Sequence, residues 1–429
     1  MTKHLLLGQT LSYSGSPFEA PWEDVTHLNA DGAVLVQDGH IAAVGAARDM
    51  TAAHPDATVV DYGARLIVPG FVDAHAHYPQ TAMIASWGKR LIDWLNAYTF
   101  PEEARFADPA YAEDIAGRYL DLLLDHGTTT VCTYCTTAPA SVEAIFKGAE
   151  ARGMRVLAGK TCMDRNAPED LIDTPERAYD ESKALLRAWH GRERAGYVIT
   201  PRFAPTSSPA QMEALGALWA EHPDCLMQTH LSEQVEELAW MRELFPEARD
   251  YLDVYERFGL LGARAVYGHA IHLTEREIAR VAETGAALVH CPTSNTFIGS
   301  GLFDMGLARQ IPVGLATDTG GGSSFSMLRT MAATYEIAQL RGQALHAAEL
   351  MWLATEGSAR ALHLEGQIGR LAPGAEADIC VLDLASTPAL AQRYGHAQGP
   401  WEAIFPTIMM GDDRAVHDLW VGGVRRLRP

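Results

Sequence analysis

The sequence has no run of 18 apolar residues, so it offers no helix that could cross a membrane. Basic residues are few: 34 lysines and arginines against 54 aspartates and glutamates give a net charge of −20, and no basic block occurs. A polyanion such as nucleic acid is therefore not an expected partner. Cysteine is also scarce, since six in 429 residues cannot build a secreted disulfide framework. The amino terminus has too short an apolar run for a signal peptide, and together these absences predict a cytoplasmic protein.

The apolar residues that are present, 48% of the chain, are enough to fill a large core. Between about residues 66 and 365, apolar runs alternate with helix-like stretches, which is the pattern of parallel strands connected by helices. The eight runs lie near residues 66–72, 128–134, 155–163, 197–203, 226–231, 265–269, 286–291 and 312–318. Together they predict an α/β fold, a (β/α)8 barrel of the TIM type over residues 69–365.

The two ends of the chain differ from this pattern, because residues 1–68 and 366–429 contain short strands with tight turns. An Asp-Gly pair at 38–39 and a Gly-Gly pair at 422–423 are typical of hairpin turns. The simplest assembly is one small β-sandwich formed by both terminal segments, with the barrel inserted between them. The connection over residues 78–125 is long and rich in aromatic residues, so part of it is expected to cover the barrel mouth.

Five candidate metal ligands follow apolar runs in the barrel region. His75 and His77 are two residues apart, so on a strand their side chains point to the same face. His230, His269 and Asp318 each end another run, and the carboxyl ends of barrel strands meet at one mouth. Three imidazoles and one carboxylate with a position left for water are the donors of a catalytic zinc, since structural zinc is usually closed by thiolates.

A carboxylate stands close to this set in the sequence. Glu233 comes three residues after His230, at the predicted start of the next helix. Zinc lowers the pKa of bound water from about 16 toward roughly 7, and a neighbouring carboxyl can then move protons as general acid and base. A glutamate at a helix start is also a common capping residue, so its position alone leaves both interpretations open.

The sequence resembles the amidohydrolase superfamily, in its mononuclear purine and pyrimidine deaminase branch. The motifs that carry this resemblance are PGFVDAHAH at residues 69–77, THLSE at 229–233, GH at 268–269, HCPTSN at 290–295 and ATD at 316–318. A narrower similarity to guanine deaminases rests on YPQ at 78–80, YTFP at 98–101, TPRF at 200–203, HLSE at 230–233 and NTFIGSGLF at 295–303. The resemblance covers nearly the whole chain and implies the barrel, the composite β-sandwich, a homodimer and guanine as the small-molecule substrate.

The resemblance also implies the roles of individual residues. One zinc ion per chain would be held by His75, His77, His230 and Asp318, although iron accepts the same donors. The groups that guide the attacking water and the protons would be His269, Glu233 and Asp318. The base would be held by Gln80, Arg202 and Phe203, in contact also with His230, Glu233 and Asp318.

The implied reaction is hydrolytic deamination of guanine to xanthine and ammonia. Hydroxide would attack C2, and Asp318 would take the proton from the water. Glu233 would protonate N3 and then relay a proton to the departing amine. Arg202 would donate to the O6 carbonyl, which adenine lacks, and Gln80 can donate and accept at once.

Three other interpretations stay open on the sequence. A carboxylated Lys160 could bridge two metals for amide or ester hydrolysis, although it falls on the third strand and that bridge belongs to the fourth. A deaminase for 8-oxoguanine, a pterin or another purine would keep the metal ligands and change the residues that hold the base. A metal-free assembly protein on the same fold is expected to have lost ligands.

Cys132 and Cys135 have redox-pair spacing but lie in an apolar, β-branched run, which favours buried thiols.

Overall fold

The computed structural model describes residues 3–87 and 90–426. Its strands are β1 Lys3–Tyr13, β2 Thr26–Gln37, β3 His40–Ala46, β4 Thr58–Pro69, β5 Phe71–His77, β6 Thr128–Tyr134, β7 Arg155–Gly159, β8 Thr161–Cys162, β9 Ala195–Pro201, β10 Leu226–Leu231, β11 Ala265–His269, β12 Ala287–His290, β13 Val313–Leu315, β14 Ile379–Leu382, β15 Val416–Val421 and β16 Val424–Arg426.

The α-helices are α1 Trp22–Val25, α2 Ala47–Ala53, α3 Leu91–Trp94, α4 Phe100–Ala104, α5 Pro109–Asp125, α6 Pro139–Arg152, α7 Pro175–Trp189, α8 Pro209–Glu221, α9 Val235–Leu244, α10 Tyr251–Arg257, α11 Glu275–Thr284, α12 Pro292–Phe297, α13 Met327–Leu340, α14 Ala347–Trp352, α15 Ser358–Ala361, α16 Pro388–Tyr394 and α17 Pro400–Met410. Short 3-10 segments are Tyr78–Met83, Arg105–Ala107, Glu169–Leu171, Ala204–Thr206, Met305–Arg309 and Asp413–Ala415, and π segments are Leu95–Thr99 and Leu353–Gly357. Within 3–87 and 90–426, we find no helix with the length and apolarity that crossing a membrane requires.

The chain divides into two compact units. One lies within Met1–Asp73, Leu122–Thr130 and Ser326–Pro429, and the other within Ala74–Asp121 and Val131–Phe325. The first unit thus includes helices α13 to α15 as well as the terminal strands. The limits that the sequence predicts between sandwich and barrel, after residues 68 and 365, stay a prediction.

The first unit contains a seven-stranded sheet in the order β16-β15-β14-β4-β1-β2-β3. Strand β1 pairs in parallel with β4, and β4 pairs antiparallel with β14, so both ends of the chain enter one sheet, as predicted. Asp38 and Gly39 have φ of 51° and 84° between β2 and β3, as a two-residue hairpin turn of primed type requires. Leu6, Ile67 and Trp420 pack together in the core of this unit.

The second unit carries the predicted barrel. Its sheet has the order β13-β12-β11-β10-β9-β7-β6-β5, with the short β8 paired to β9. The pairings of β7 with β9, β9 with β10, β10 with β11, β11 with β12 and β12 with β13 are all parallel. Eight parallel strands lying side by side in chain order, with helices between them, form the sheet of a (β/α)8 barrel, so the predicted fold class is confirmed.

Local sequence signals place the helices between these strands. Thr174 caps α7 by accepting from the backbone N–H of Arg177, and a proline occupies the first helical position. Thr274 and Glu277 form a capping box at the start of α11, whose C-cap is Gly285 with φ of 71°. Such caps satisfy the free backbone groups at helix ends, which lets each helix begin shortly after the strand before it.

The first barrel strand does not lie where the sequence predicts it. The apolar run at 66–68 belongs to β4, which pairs with β1 and β14 in the terminal sheet. The barrel strand is β5, so His75 and His77 lie within a strand rather than after one. The prediction was wrong here because two buried strands follow each other directly, and a continuous apolar stretch has the same composition in either sheet.

Candidate active site

Four of the predicted ligands converge at the carboxyl ends of the barrel strands. Nε2 of His77 lies 3.2 Å from Nε2 of His230. Oδ1 of Asp318 lies 3.5 Å from Nε2 of His75 and 3.4 Å from Nε2 of His77. Burial and the neighbouring imidazoles lower the pKa of all three histidines well below the ordinary value. Neutral imidazoles facing a carboxylate are suitable donors for a divalent cation.

Hydrogen bonds to the backbone orient these ligands. Nδ1 of His230 donates to the carbonyl of Arg202 at 2.7 Å, which leaves the lone pair on Nε2. The backbone N–H of Asp318 donates to the carbonyl of His75 at 2.9 Å. Asp318 and His269 have φ of 48° and 65°, a left-handed conformation that costs free energy for residues other than glycine. The backbone is therefore held in a strained form at both positions that face the site.

Gly268 is required beside His75. A Cβ at this position would lie 2.6 Å from Cε1 of the His75 ring, closer than carbon atoms approach. The bare backbone of β11 lets the ring from β5 lie against it. The GH pair therefore supplies both the space for one ligand and the neighbouring His269.

The structure brings Glu233 and His269 together beside the ligands. Oε2 of Glu233 lies 3.7 Å from Nε2 of His269, which also faces Oδ2 of Asp318 at 3.8 Å. Nδ1 of His269 hydrogen-bonds to Oδ1 of Asn295 at 2.9 Å and must donate there, because that oxygen only accepts. Nε2 then carries the lone pair and can accept from a water.

Glu233 precedes α9 by two residues and lies in the loop, not in the first turn as predicted. Burial raises the pKa of its carboxyl to about 7, although a hydrogen bond of 3.0 Å from Ser300 acts in the opposite direction. A carboxyl with this pKa can both hold and release a proton near neutral pH.

Sequence reasoning missed Glu237, which holds the loop that carries Glu233. Its carboxylate accepts from the backbone N–H groups of Glu233 at 2.9 Å and Gln234 at 3.2 Å, and from the hydroxyl of Tyr251 at 2.6 Å. The available signal was the capping box that Gln234 and Glu237 form. Glu237 therefore fixes the backbone of the proton-carrying residue.

The residues predicted to hold the base line the same cavity as three of the predicted metal ligands. Arg202 and Phe203 directly follow β9, and Gln80 lies in the 3-10 segment after β5. Arg202 pairs with Glu103 of α4 through Nη1 to Oε2 at 2.5 Å and Nη2 to Oε1 at 3.1 Å. Nε2 of Gln80 donates to Oε1 of the same carboxylate at 2.9 Å. Sequence reasoning missed Glu103, because a glutamate in a short helix is normally solvated and nothing in the motif sets it apart.

The predicted site residues other than His75 all line one cavity. Its lining residues are His77, Gln80, Leu91, Trp94, Leu95, Arg202, Phe203, His230, Glu233, His269, Ile298, Asp318 and Gly321. Leu91, Trp94 and Leu95 come from the long connection after β5, which therefore covers part of the barrel mouth as predicted. The cavity combines titratable and apolar side chains, which suits a flat heterocycle.

Lys160 does not join this site. Its Nζ forms an ion pair with Asp173 and lies 3.4 Å from Glu181, and it stands between β7 and β8 on the third barrel strand. Cys132 and Cys135 are buried thiols, as are the other four cysteines. Sγ of Cys132 donates to Oε1 of Gln228 at 3.2 Å, and burial raises the pKa of Cys135. The interpretation as buried thiols is confirmed.

Comparison with known proteins gives consistent matches over the whole chain. The sequence profile of the Amidohydrolase family matches residues 66–425. The guanine deaminase of Escherichia coli K12 is 43% identical over 396 residues, covering 92% of this chain and 90% of the relative. The crystal structure of guanine deaminase from Bradyrhizobium japonicum superposes with a TM-score of 0.97 at 35% identity, covering all of both chains. The crystal structure of guanine deaminase from C. acetobutylicum with bound guanine superposes with a TM-score of 0.91 at 27% identity. This match covers 99% of this chain and all of the other.

Proposed function

The chain belongs to the amidohydrolase family and within it to the guanine deaminases, and from that premise we propose that its site hydrolyses guanine to xanthine and ammonia at one zinc ion. The observation that carries the proposal is the cavity itself. Its lining includes His77, His230 and Asp318 as well as Arg202 and Gln80. The hydrolytic and recognition groups thus face the same small volume.

The side chains present fit a metal ion. His75, His77, His230 and Asp318 would hold it, and the proton that His230 keeps on Nδ1 turns its Nε2 lone pair toward His77 at 3.2 Å. Two ring nitrogens at this distance favour a cation between them. A zinc ion bound there supplies Lewis acidity that brings the pKa of water from about 16 toward roughly 7.

The protein's own groups then move the protons. Asp318 accepts the proton of the attacking water, and the lone pair on Nε2 of His269 orients that water toward C2. Glu233, whose pKa is about 7, gives its proton to N3. It then takes the second water proton from the oxygen added at C2 and gives it to the amine, which leaves as ammonia when the C2–N bond breaks, and the proton held by Asp318 returns to Glu233. Glu237 and Ser300 hold Glu233 in reach of both positions.

The base is recognised by polar groups at one end and apolar groups on its faces. Arg202 donates to the O6 carbonyl, and Gln80 contacts the adjacent ring edge. Phe203, Trp94 and Leu95 supply the apolar surface against which a planar purine can pack. Xanthine differs from guanine at C2 and N3 and keeps O6 and N1–H, so this recognition is kept until the product leaves.

We expect about one zinc per chain in the active protein, because the four donor side chains converge on one ion site. We also expect chelation of this ion to abolish activity. Elemental analysis of the purified protein, with activity measured before and after chelation and after return of zinc or Fe²⁺, checks both points. Two metals per active chain would contradict the proposal, as would full activity in metal-free protein.

The substrate is tested by an ammonia-release screen with guanine, 8-oxoguanine, adenine, cytosine and pterins. Guanine should give the highest kcat/KM, since Arg202 and Gln80 match its carbonyl and the neighbouring N–H. A higher value for 8-oxoguanine or a pterin would move the assignment to another deaminase of the family.

We also propose that the protein is a cytoplasmic homodimer. The family resemblance supports the dimer, and six buried cysteine thiols support a reducing compartment. Light scattering coupled to gel filtration measures the mass in solution, which should be twice that of one chain.

A further inference from the structure

Glu103 is a buried carboxylate that connects Arg202 and Gln80, the two polar side chains proposed to bind the base and called here the recognition wall. Its side chain is 1% exposed and that of Arg202 is 4% exposed. Both oxygens of Glu103 accept from the Arg202 guanidinium, and one of them also accepts from Nε2 of Gln80. This carboxylate therefore fixes two neighbouring side chains at the same time.

The contact fixes which end of the Gln80 amide faces the cavity. An ionised carboxylate only accepts hydrogen bonds, so the amide end that meets Glu103 must be the NH2 group. Oε1 is left at the other end, buried and without a hydrogen-bond partner among the residues that the structure describes. A Cβ on residue 320 would lie 2.0 Å from this oxygen, so Gly320, with φ of 117°, keeps the space beside it clear.

We propose that Glu103 is a positioning residue that sets the donor and acceptor order of the recognition wall: Arg202 donates, and Gln80 accepts through Oε1. The inference rests on the proposed function and names what makes its site selective. Guanine presents an acceptor, O6, next to a donor, N1–H, which is the complement of this order. A 6-aminopurine presents a donor next to an acceptor, so it meets Arg202 and Gln80 with the wrong group at both positions.

The variant Glu103→Gln tests this order directly. An amide at residue 103 can donate as well as accept, so it no longer restricts Gln80 to one orientation, and Arg202 loses its charged partner. We expect kcat/KM for guanine to fall by about 10²-fold, since sites built around a polar group lose up to roughly 10⁴-fold when the match is broken.

The decisive readout is the ratio of kcat/KM for guanine to that for 2,6-diaminopurine. Both compounds carry the amino group at C2, and they differ only in the edge that Arg202 and Gln80 are proposed to read. The ratio should fall at least about 10-fold in Glu103→Gln, because only the guanine edge depends on the fixed order. The zinc content should stay at the wild-type value.

Glu102→Gln is the matched control. Glu102 is the preceding residue of the same helix, and its carboxylate pairs with Arg105 at 3.1 Å and with the hydroxyl of Tyr111. It does not line the cavity. In this variant kcat and KM for guanine, and the ratio of kcat/KM for guanine to that for 2,6-diaminopurine, should match the wild type.

A second variant keeps the test valid if Glu103→Gln does not fold. Gln80→Met removes the oriented amide and leaves the pair between Glu103 and Arg202 in place, and it should lower the same ratio. If Glu103→Gln lowers kcat/KM for guanine and for 2,6-diaminopurine by the same factor, Glu103 has only a structural role and the inference is wrong. The inference is also wrong if Gln80→Met leaves the ratio of the two kcat/KM values unchanged. A wild type that does not deaminate guanine would overturn the proposed function, and this inference with it.

Discussion

Glu233→Gln should bind zinc and guanine normally and lose at least ~10²-fold in kcat, because an amide cannot carry the proton to N3 or to the amine. The carboxyl lies 3.7 Å from His269 and accepts from Ser300, while Glu237 holds the backbone N–H of residue 233, so the isosteric amide can keep these contacts without titrating. Steady-state kinetics, guanine binding and elemental analysis on one preparation separate the loss of turnover from a loss of metal.

The matched control is Glu236→Gln. Its side chain is 59% exposed, next to Arg90 on the surface, and its removal should change kcat by less than about twofold. Near-normal turnover of Glu233→Gln would remove Glu233 from the mechanism.

Arg202→Ala should lower kcat/KM for guanine by about 10³-fold or more while leaving the zinc content unchanged. The substitution removes the donor for O6 and leaves the carboxylate of Glu103 buried without its charged partner, an arrangement that is costly in a protein interior. The wild type should discriminate against adenine by roughly 10⁴-fold, since the N6 amine would face the arginine donors.

Arg187→Ala serves as the control for this experiment, because that arginine is exposed on α7. Its kinetic constants should equal those of the wild type. Equal use of guanine and adenine by the wild type, or unchanged kinetics in Arg202→Ala, would show that the arginine does not read the carbonyl.

The sequence identified the candidate metal ligands because each has a local signal. His230, His269 and Asp318 end or closely follow apolar runs, and parallel strands in a barrel bring such positions to one mouth. The alternation of apolar runs and helices is equally local, which is why the fold class could be predicted. The first strand could not be placed, because β4 and β5 adjoin and only their pairing partners distinguish them.

The supporting carboxylates could not be found in the same way. Glu103 meets Arg202 across 99 residues of sequence, and Glu237 meets Tyr251 across 14. In the sequence, Glu103 looks like a solvated glutamate of an ordinary helix. The capping box marks Glu237 only as a helix-start residue, because burial and pairing are set by the tertiary fold. What the sequence lacked was the context that turns such side chains into positioning groups.

The central claim is that water adds to C2 of guanine and displaces ammonia. It is tested most directly by incubating the zinc-loaded protein with guanine in ¹⁸O-labelled water and analysing the product by mass spectrometry. The account predicts xanthine that carries one ¹⁸O, at C2, together with one ammonia per xanthine. Guanine recovered unchanged, or xanthine without the label at C2, would contradict it.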